Sequence, residues 1–304
     1  MNGHYYSLNE YLLETFGEKV YKLSIDLGLS CPNRDGSLDT RGCIFCNNGS
    51  SHFAQAGTDI SKQIELAKSQ VAAKTKAQKF IAYFQSYTNT YAPCDYLEYV
   101  FTTAISRDDI VALSIATRPD CISDDVLQLL ERLNKIKPVW IELGLQTSNE
   151  KTADYIRRCY PNSTYKEAVK RLKDIGIYVI THIILGLPGE NTKDMLSTVD
   201  FAVNCKTDGI KLQLLHILKD TDLYTDYMNK GFHILTLNEY IDILCACLEI
   251  VPSNIVIHRI TGDPPKSLLV EPKWSADKKN VLNTINRELN LKNVQQGNKT
   301  STNE

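Results

Sequence analysis

Three cysteines, Cys31, Cys43 and Cys46, fall close together in one polar, glycine-rich stretch that runs Cys31-Pro-Asn-Arg-Asp-Gly and ends Arg41-Gly-Cys43-Ile-Phe-Cys46. Thiolates at this density are soft ligands, suited to zinc or to an iron–sulfur cluster. A structural zinc asks for a fourth ligand, and His52 stands near enough in sequence to supply it. Three cysteines on a four-iron cubane instead leave one iron open to a second molecule. Of the nine cysteines, Cys94, Cys121, Cys159 and Cys205 are scattered and read as small hydrophobes. Cys245 and Cys247 lie two apart in an apolar helical segment, so they face different sides and do not form a shared site.

The elements that must position this loop alternate. Lys19–Leu27, Lys79–Gln85, Val111–Thr117, Val139–Gln146, Tyr178–Leu185 and Gly209–His216 are short, apolar or β-branched, and bounded by turn residues, as strands are. Between them Ser61–Lys74, Tyr96–Ile105, Ser123–Asn134, Asn149–Arg158, Thr164–Asp174 and Asn191–Val203 read as helices, several opened by Ser or Asn caps. Six β-then-α units imply parallel strands joined by right-handed crossovers. Six fall short of the eight that close a barrel, so the fold class expected is α/β, a partial open (β/α)6 TIM-like barrel. Such folds gather their chemistry at the C-terminal strand ends, where the cysteine loop falls. Thr236–Ile250 and Asn254–Gly262 add a helix and a strand over the open side. Residues 1–235 are expected to form the core, 236–291 a C-terminal extension packed on it, and 292–304 a disordered tail, since they lack an apolar face.

The motifs in register along these strands resemble a known family. They are Cys31-Pro-Asn-Arg-Asp-Gly, Tyr83-Phe-Gln-Ser-Tyr-Thr-Asn-Thr-Tyr-Ala-Pro93, Thr117-Arg-Pro-Asp-Cys121, Glu142-Leu-Gly-Leu-Gln-Thr147 and Thr181-His-Ile-Ile-Leu-Gly-Leu-Pro-Gly-Glu190. Together they look like the radical S-adenosylmethionine (SAM) superfamily and, more narrowly, the bacterial YhcC/YtqA family, with a distant likeness to the Elongator catalytic subunit. The resemblance implies a [4Fe–4S] cluster on Cys31, Cys43 and Cys46 whose open iron binds S-adenosylmethionine. Reductive cleavage of that cofactor would give a 5′-deoxyadenosyl radical that takes hydrogen from substrate. It further implies that Phe45 lies near the adenine and that Gln85 and Ser86 replace the family's usual Gly-Gly-Glu run against the methionine ammonium. Gln146 and Arg158 match polar and basic cofactor contacts, with Arg157 the solvent-facing competitor. Gly186 packs its backbone near adenine, and His182 is the catalytic candidate. Glu142 is read as orienting Arg118 or Arg157, and Arg118 with Asp120 as a polar turn.

A flavodoxin- or ferredoxin-type reductant follows from the same resemblance, as do tRNA as substrate and a partner methyltransferase to complete the modification. The substrate step implied is trimming of a wobble uridine's carboxymethylaminomethyl group to aminomethyl. A small molecule or a protein as substrate, and a zinc-stabilised barrel without redox chemistry, are the alternatives. Charge speaks little: 34 basic against 36 acidic residues give −2, without a strongly basic footprint. The basic residues that do cluster are Arg157, Arg158, Lys166, Lys170, Arg171 and Lys173. No apolar run reaches the ~18 residues of a membrane span, and the start lacks a signal-like apolar core. The expectation is a cytoplasmic protein without a membrane partner.

Overall fold

A computed structural model describes residues 3–47, 59–73 and 75–300. His52, the fourth ligand that a zinc site would draw on, lies outside the described residues. In chain order the elements are α1 (Leu8–Phe16), β1 (Val20–Ile25), α2 (Ile60–Ala72), β2 (Lys79–Phe84), α3 (Cys94–Ile105) and β3 (Ile110–Thr117). There follow α4 (Asp124–Asn134), β4 (Val139–Gln146), α5 (Glu150–Tyr155), α6 (Asn162–Asp174), β5 (Tyr178–Leu185), α7 (Thr192–Asn204) and β6 (Gly209–Leu214). The last third adds β7 (Ile217–Leu218), α8 (Asp222–Lys230), α9 (Leu237–Ile250), β8 (Val256–Arg259), β9 (Leu269–Glu271) and α10 (Lys278–Leu291).

One sheet of seven strands runs β1-β2-β3-β4-β5-β6-β8 with every neighbouring pair parallel. The expected six strands are all present, and β8 joins them as a seventh on the edge of β6. This is the partial, open barrel with helices outside it. Several expected boundaries moved by one or two residues, and two of the shifts have local causes. β1 stops at Ile25 because the Asp26 carboxylate accepts from the Gly28 amide at 2.8 Å and Gly28 takes φ +67°. Residues Asn149–Arg158 do not form one helix: α5 ends at Tyr155, and Arg157 and Cys159 adopt φ of +56° and +62°.

Side-chain alternation sorts the strands into two faces. Outward residues such as Leu23, Ala82, Leu113, Ile141, Val179 and Leu212 enter the large core shared with the helices. Inward residues Val20, Ile81, Ala112, Trp140 and Ile180 form a separate apolar floor at the N-terminal end, plugged by Leu12 of α1. Tyr11 of α1 lies 5.8 Å from the Trp140 ring and 5.3 Å from Tyr178, which fixes that plug through aromatic packing. Among the described residues, the barrel interior opens toward the cysteine loop and along the gap between its edge strands.

Of the tail expected over 292–304, residues 301–304 lie outside the described residues, and the described part departs from expectation. Residues 292–300 pack rather than dangle: Val294 is buried, its carbonyl accepts from His4, and the Gln296 amide bonds the Pro252 and Ile255 carbonyls at 2.7 Å each. A single apolar residue and one glutamine that satisfies strand-end carbonyls do what an amphipathic pattern normally does, so composition alone misjudged this segment. Cys245 and Cys247 of α9 are both buried in the main core, as hydrophobes.

Candidate active site

The cysteine loop is held as a rigid cradle by backbone and buried polar contacts. Asn33, fully buried, receives the Gly42 amide at 2.6 Å and donates Nδ2 to the Arg157 carbonyl at 2.7 Å. The same Nδ2 reaches the Cys43 sulfur at 3.6 Å. Ile44 bonds the Ile156 carbonyl and receives the Leu223 amide, which zips the loop between the end of α5 and the start of α8. Arg34 crosses the loop to the Cys46 carbonyl at 3.0 Å and the Asn47 carbonyl at 3.2 Å. It can do so because Gly42, at φ +76°, carries no β-carbon; one there would sit 3.0 Å from the guanidinium.

Burial first, and then the neighbouring Cys46 and Cys31 thiols, push the Cys43 thiol up to about 12. Three thiolates in this loop thus repel one another unless a cationic group binds them. The surroundings suit such a group. An N–H is aimed at the Cys43 sulfur. Burial works against the Arg34 charge, but the hydrogen bond to Cys46 and the charges of Cys46, Tyr87 and Cys31 outweigh it and raise its pKa. N–H donors and cations around ligating sulfurs are what a thiolate-held iron–sulfur cluster asks of its second shell. Among the described residues, no three His, Cys, Asp or Glu side chains close around a single ion. The fit to a cluster rests on the donor set and its neighbours.

The other expected site residues lie at the C-terminal strand ends, in different roles. Gln85 and Ser86 directly follow β2 and line a cavity of about 590 Å³ together with Cys46 and Asn47. Tyr87, at φ +55°, turns the chain there and stacks beneath Arg34 at 5.5 Å. Phe45 packs with Ile184, Leu187 and Leu215 near the ends of β5 and β6. Gly186 follows β5 at φ +88°, and a β-carbon on it would meet Leu235 at 2.9 Å. Gln146 sits on a bulge of β4 at φ +61°, its amide folded back over Gly144 and within 3.3 Å of the Tyr160 hydroxyl.

Arg158, expected to fork a carboxylate of the ligand, grips the chain instead. Its guanidinium donates to the Tyr160 carbonyl (2.9 Å), the Leu145 and Thr147 carbonyls (3.1 and 2.6 Å) and Glu150 (3.0 Å), and the residue is 1 % exposed. It therefore shapes the end of β4, where Gln146 sits. Arg157 pairs with Asp222 at 2.5 Å. Replacing Arg158 by alanine is expected to cost about 2–4 kcal/mol in urea denaturation, since buried carbonyls lose charged donors. Arg157→Ala, which breaks one ion pair to an exposed acid, should cost about 1 kcal/mol or less. Equal losses would show that the buried network carries no special weight.

Two positions above the apolar floor, the inward residues turn polar. Lys22, Tyr83, Ser114, Glu142, His182 and Lys211 come from β1 to β6 and meet in one layer. Glu142 of β4 is at its centre. It accepts from Lys22 and from Ser114, both at 2.7 Å, from His182 Nε2 at 2.7 Å, and from Lys211. Burial alone would neutralise this carboxyl, but Lys211 and Lys22 outweigh it and hold Glu142 well below the usual range. Burial and the Lys211 charge pull His182 down to about 4, so it is neutral at pH 7. Its Nε2–H donates to Glu142, and its Nδ1 faces Gln213 Nε2 at 3.5 Å, which fixes one tautomer. The expectation that Glu142 orients Arg118 or Arg157 is thus corrected. Arg118 is instead clamped by Asp120 at 2.7 and 2.9 Å and stacks 4.9 Å from the Tyr160 ring, buried rather than on the surface.

Lys22 and Lys211 were missed in sequence although a signal existed: a lysine flanked by apolar residues in mid-strand has nowhere to go but a paired interior. The basic cluster that was noticed plays a different part. Lys170 pairs with Asp174, Arg171 with Asp124 and the Ile122 carbonyl, and Lys173 with Asp208 at 2.5 Å. Those cations of α6 are answered by the protein's own acids.

Comparison with known proteins agrees with this geometry. The model of the Radical SAM superfamily matches residues 40–202, and that of the Radical_SAM C-terminal domain matches 207–290. The YtqA protein of Bacillus subtilis is 43 % identical over 295 residues, which covers 96 % of this chain and 92 % of that protein. A tRNA uridine(34) acetyltransferase of Methanocaldococcus jannaschii is 28 % identical over 165 residues, 53 % of this chain and 30 % of that one. Among solved structures, the archaeal Elp3 of Methanocaldococcus infernus superposes with a TM-score of 0.70 at 17 % identity, covering 91 % of this chain and 64 % of that one. That likeness is one of fold. No described helix is long and apolar enough to cross a membrane. Because a superfamily model spans over half of the chain and a YtqA relative nearly all of it, the chain belongs to the radical SAM superfamily, in its YhcC/YtqA-like group.

Proposed function

We propose that this radical SAM enzyme acts on tRNA, trimming the carboxymethylaminomethyl group of a wobble uridine to aminomethyl. The observation that carries the reading is the likeness of half the chain to an enzyme named for uridine 34 of tRNA. When bound, the reduced cluster supplies the electron that splits S-adenosylmethionine, and the adenosyl fragment then takes a hydrogen atom from the substrate. The carboxymethyl group would leave as glyoxylate: its methylene would lose a hydrogen atom to the adenosyl fragment and a second electron back to the oxidised cluster, and water would hydrolyse the resulting C=N bond to leave the aminomethyl group.

In this reading Cys31, Cys43 and Cys46 hold the cluster, Gln85 and Ser86 meet the methionine end of the cofactor, and Phe45, Gln146 and Gly186 flank its adenosine. Arg158 acts one step back, by fixing the strand end that carries Gln146. His182, neutral and of fixed tautomer, holds Gln213 and Glu142 in place and moves no charge at pH 7. A wobble base projects from a loop, so the open barrel mouth can receive it without melting a duplex. Of the α6 cations, Lys170, Arg171 and Lys173 are already paired with acids of this chain, so they are poor candidates for phosphate contacts. A flavodoxin- or ferredoxin-type protein supplies the electron in the cytoplasm, and a methyltransferase follows.

The test is direct. Anaerobically reconstituted, reduced enzyme is incubated with tRNA that carries the carboxymethylaminomethyl group, with and without S-adenosylmethionine, and the nucleosides are weighed by mass spectrometry. Conversion to aminomethyluridine only with the cofactor is expected. Unchanged nucleosides, while 5′-deoxyadenosine accumulates, would remove the substrate and leave the radical SAM assignment standing.

A further inference from the structure

The open side of the barrel is a slot lined from β1 by Lys22 and Ser24, from β2 by Tyr83 and Gln85, from β6 by Lys211 and from β8 by Arg259. One end reaches Cys46 and Ser86; the other holds three cations. Lys211 and Arg259 are register partners on adjacent strands. Lys211 lies against Tyr83, its Nζ 3.2 Å from the hydroxyl and 4.8 Å from the ring centroid, and the residue is 4 % exposed. Arg259 is exposed toward the slot, and no carboxylate pairs with it among the described residues. The acid on the rim, Asp263, is taken by Lys278 at 2.6 Å. Among the described residues, Glu142, beneath the slot, is the one carboxylate that answers Lys22 and Lys211 together. The slot thus carries more positive charge than its own acids balance, and the surplus falls on Arg259, which stands open to an incoming anion.

We propose that Lys211 and Arg259, with Lys22 beside them, form a carboxylate-binding subsite in this slot that holds the carboxylate of the substrate. A guanidinium fork and an ammonium match the two oxygens of one carboxylate. The identity of that carboxylate rests on the function proposed above, since the carboxymethyl group to be removed ends in one. The slot joins the subsite to the cysteine-loop end, so a group anchored at Lys211 and Arg259 presents its neighbouring carbon toward the cluster end. The other source of the same chemistry is the methionine carboxylate of S-adenosylmethionine.

Arg259 is exposed, so Arg259→Gln folds where Lys211→Met would strand Glu142; it is the variant to read. Three measurements on the reconstituted holoenzyme separate the sources. Thermal stabilisation by acetate, at constant ionic strength, should occur in the parent, fall about ten- to hundredfold in apparent affinity in Arg259→Gln, and return in part in Arg259→Lys. KM for carboxymethylaminomethyl-tRNA should rise by a similar factor in Arg259→Gln, while the Kd of S-adenosylmethionine from equilibrium dialysis stays within about twofold. If the cofactor Kd weakens as much as acetate binding does, the carboxylate belongs to the cofactor and the proposal is overturned. It is overturned equally if acetate binds both proteins alike, or if inorganic phosphate stabilises as strongly as acetate. If the parent does not convert the tRNA but acetate binding still depends on Arg259, the subsite stands and the tRNA reading fails.

Discussion

Cys31→Ala, Cys43→Ala and Cys46→Ala are each expected to abolish the cluster, with brown colour, iron and sulfide lost and release of 5′-deoxyadenosine reduced to background. The argument rests on the loop. A cubane held by three thiolates has no spare ligand, so removal of any one leaves a second iron without protein. The cradle itself should survive: it is built from Asn33, Gly42, Ile44 and Arg34 through backbone bonds that the thiols do not make. The variants should therefore match the parent by circular dichroism while they fail to load iron. Cys205→Ala is the control, because Cys205 caps α7 and packs against the core. A Cys43→Ala protein that still loads a full cluster and cleaves the cofactor would end the assignment of these ligands.

What the sequence disclosed about this site, and what it hid, divides along physical lines. Ligand spacing is local, and so are strand periodicity and the turns after strands; hence the cysteine loop, six strands and the position of Gln85, Gln146 and Gly186 at their ends were all legible. The direction of a long side chain is not local. Arg158 stands three residues beyond a helix end, where sequence alone favours a solvent-facing or ligand-facing cation. Only the fold brings the Leu145, Thr147 and Tyr160 carbonyls around it. The α6 cations erred the other way: four basic residues on one helix look like a binding face until Asp124 and Asp208 arrive from other elements. The tail from Lys292 looked disordered because its anchoring is done by Val294 and Gln296 against distant partners.

The polar layer was the largest omission, and it could have been read. Given a parallel barrel, inward positions recur every second residue, and Lys22, Glu142, His182 and Lys211 each stand two after an apolar inward residue or glycine. Charges of both signs in the same row of one barrel must pair, since neither can reach water. That inference needed the rows to be aligned across strands, which is a step beyond reading each strand by itself.

The same layer carries the second large effect. Glu142→Gln is expected to destabilise the protein by about 3–5 kcal/mol, because it leaves buried cations without their counter-charge while the volume stays the same. Lys211 is the more exposed to this loss in energy, although the less exposed to solvent. Burial, joined by the charges of Lys22 and Arg259 and opposed by Glu142, already lowers its pKa to about 7. Without Glu142 the ammonium gives up its proton, so the variant should fold best where the lysine is neutral. The sign follows from proton counting: the unfolded chain, with an ordinary lysine, binds the extra proton across neutral pH, so stability rises with pH. The parent's own Lys211 gains in the same way above pH 7, so the gap between Glu142→Gln and the parent should narrow as pH rises from 5 to 7, where only the variant's lysine titrates, measured by urea melts of the cluster-free protein. Glu142→Leu combined with Lys211→Met and Lys22→Met should recover more, since a buried ion cluster replaced whole by packed apolar groups leaves no cation unanswered. A single Glu142→Gln variant within about 1 kcal/mol of the parent at pH 7 would mean that the layer is wet enough to screen its charges, and that the slot beside it holds no unbalanced cation for a substrate to answer.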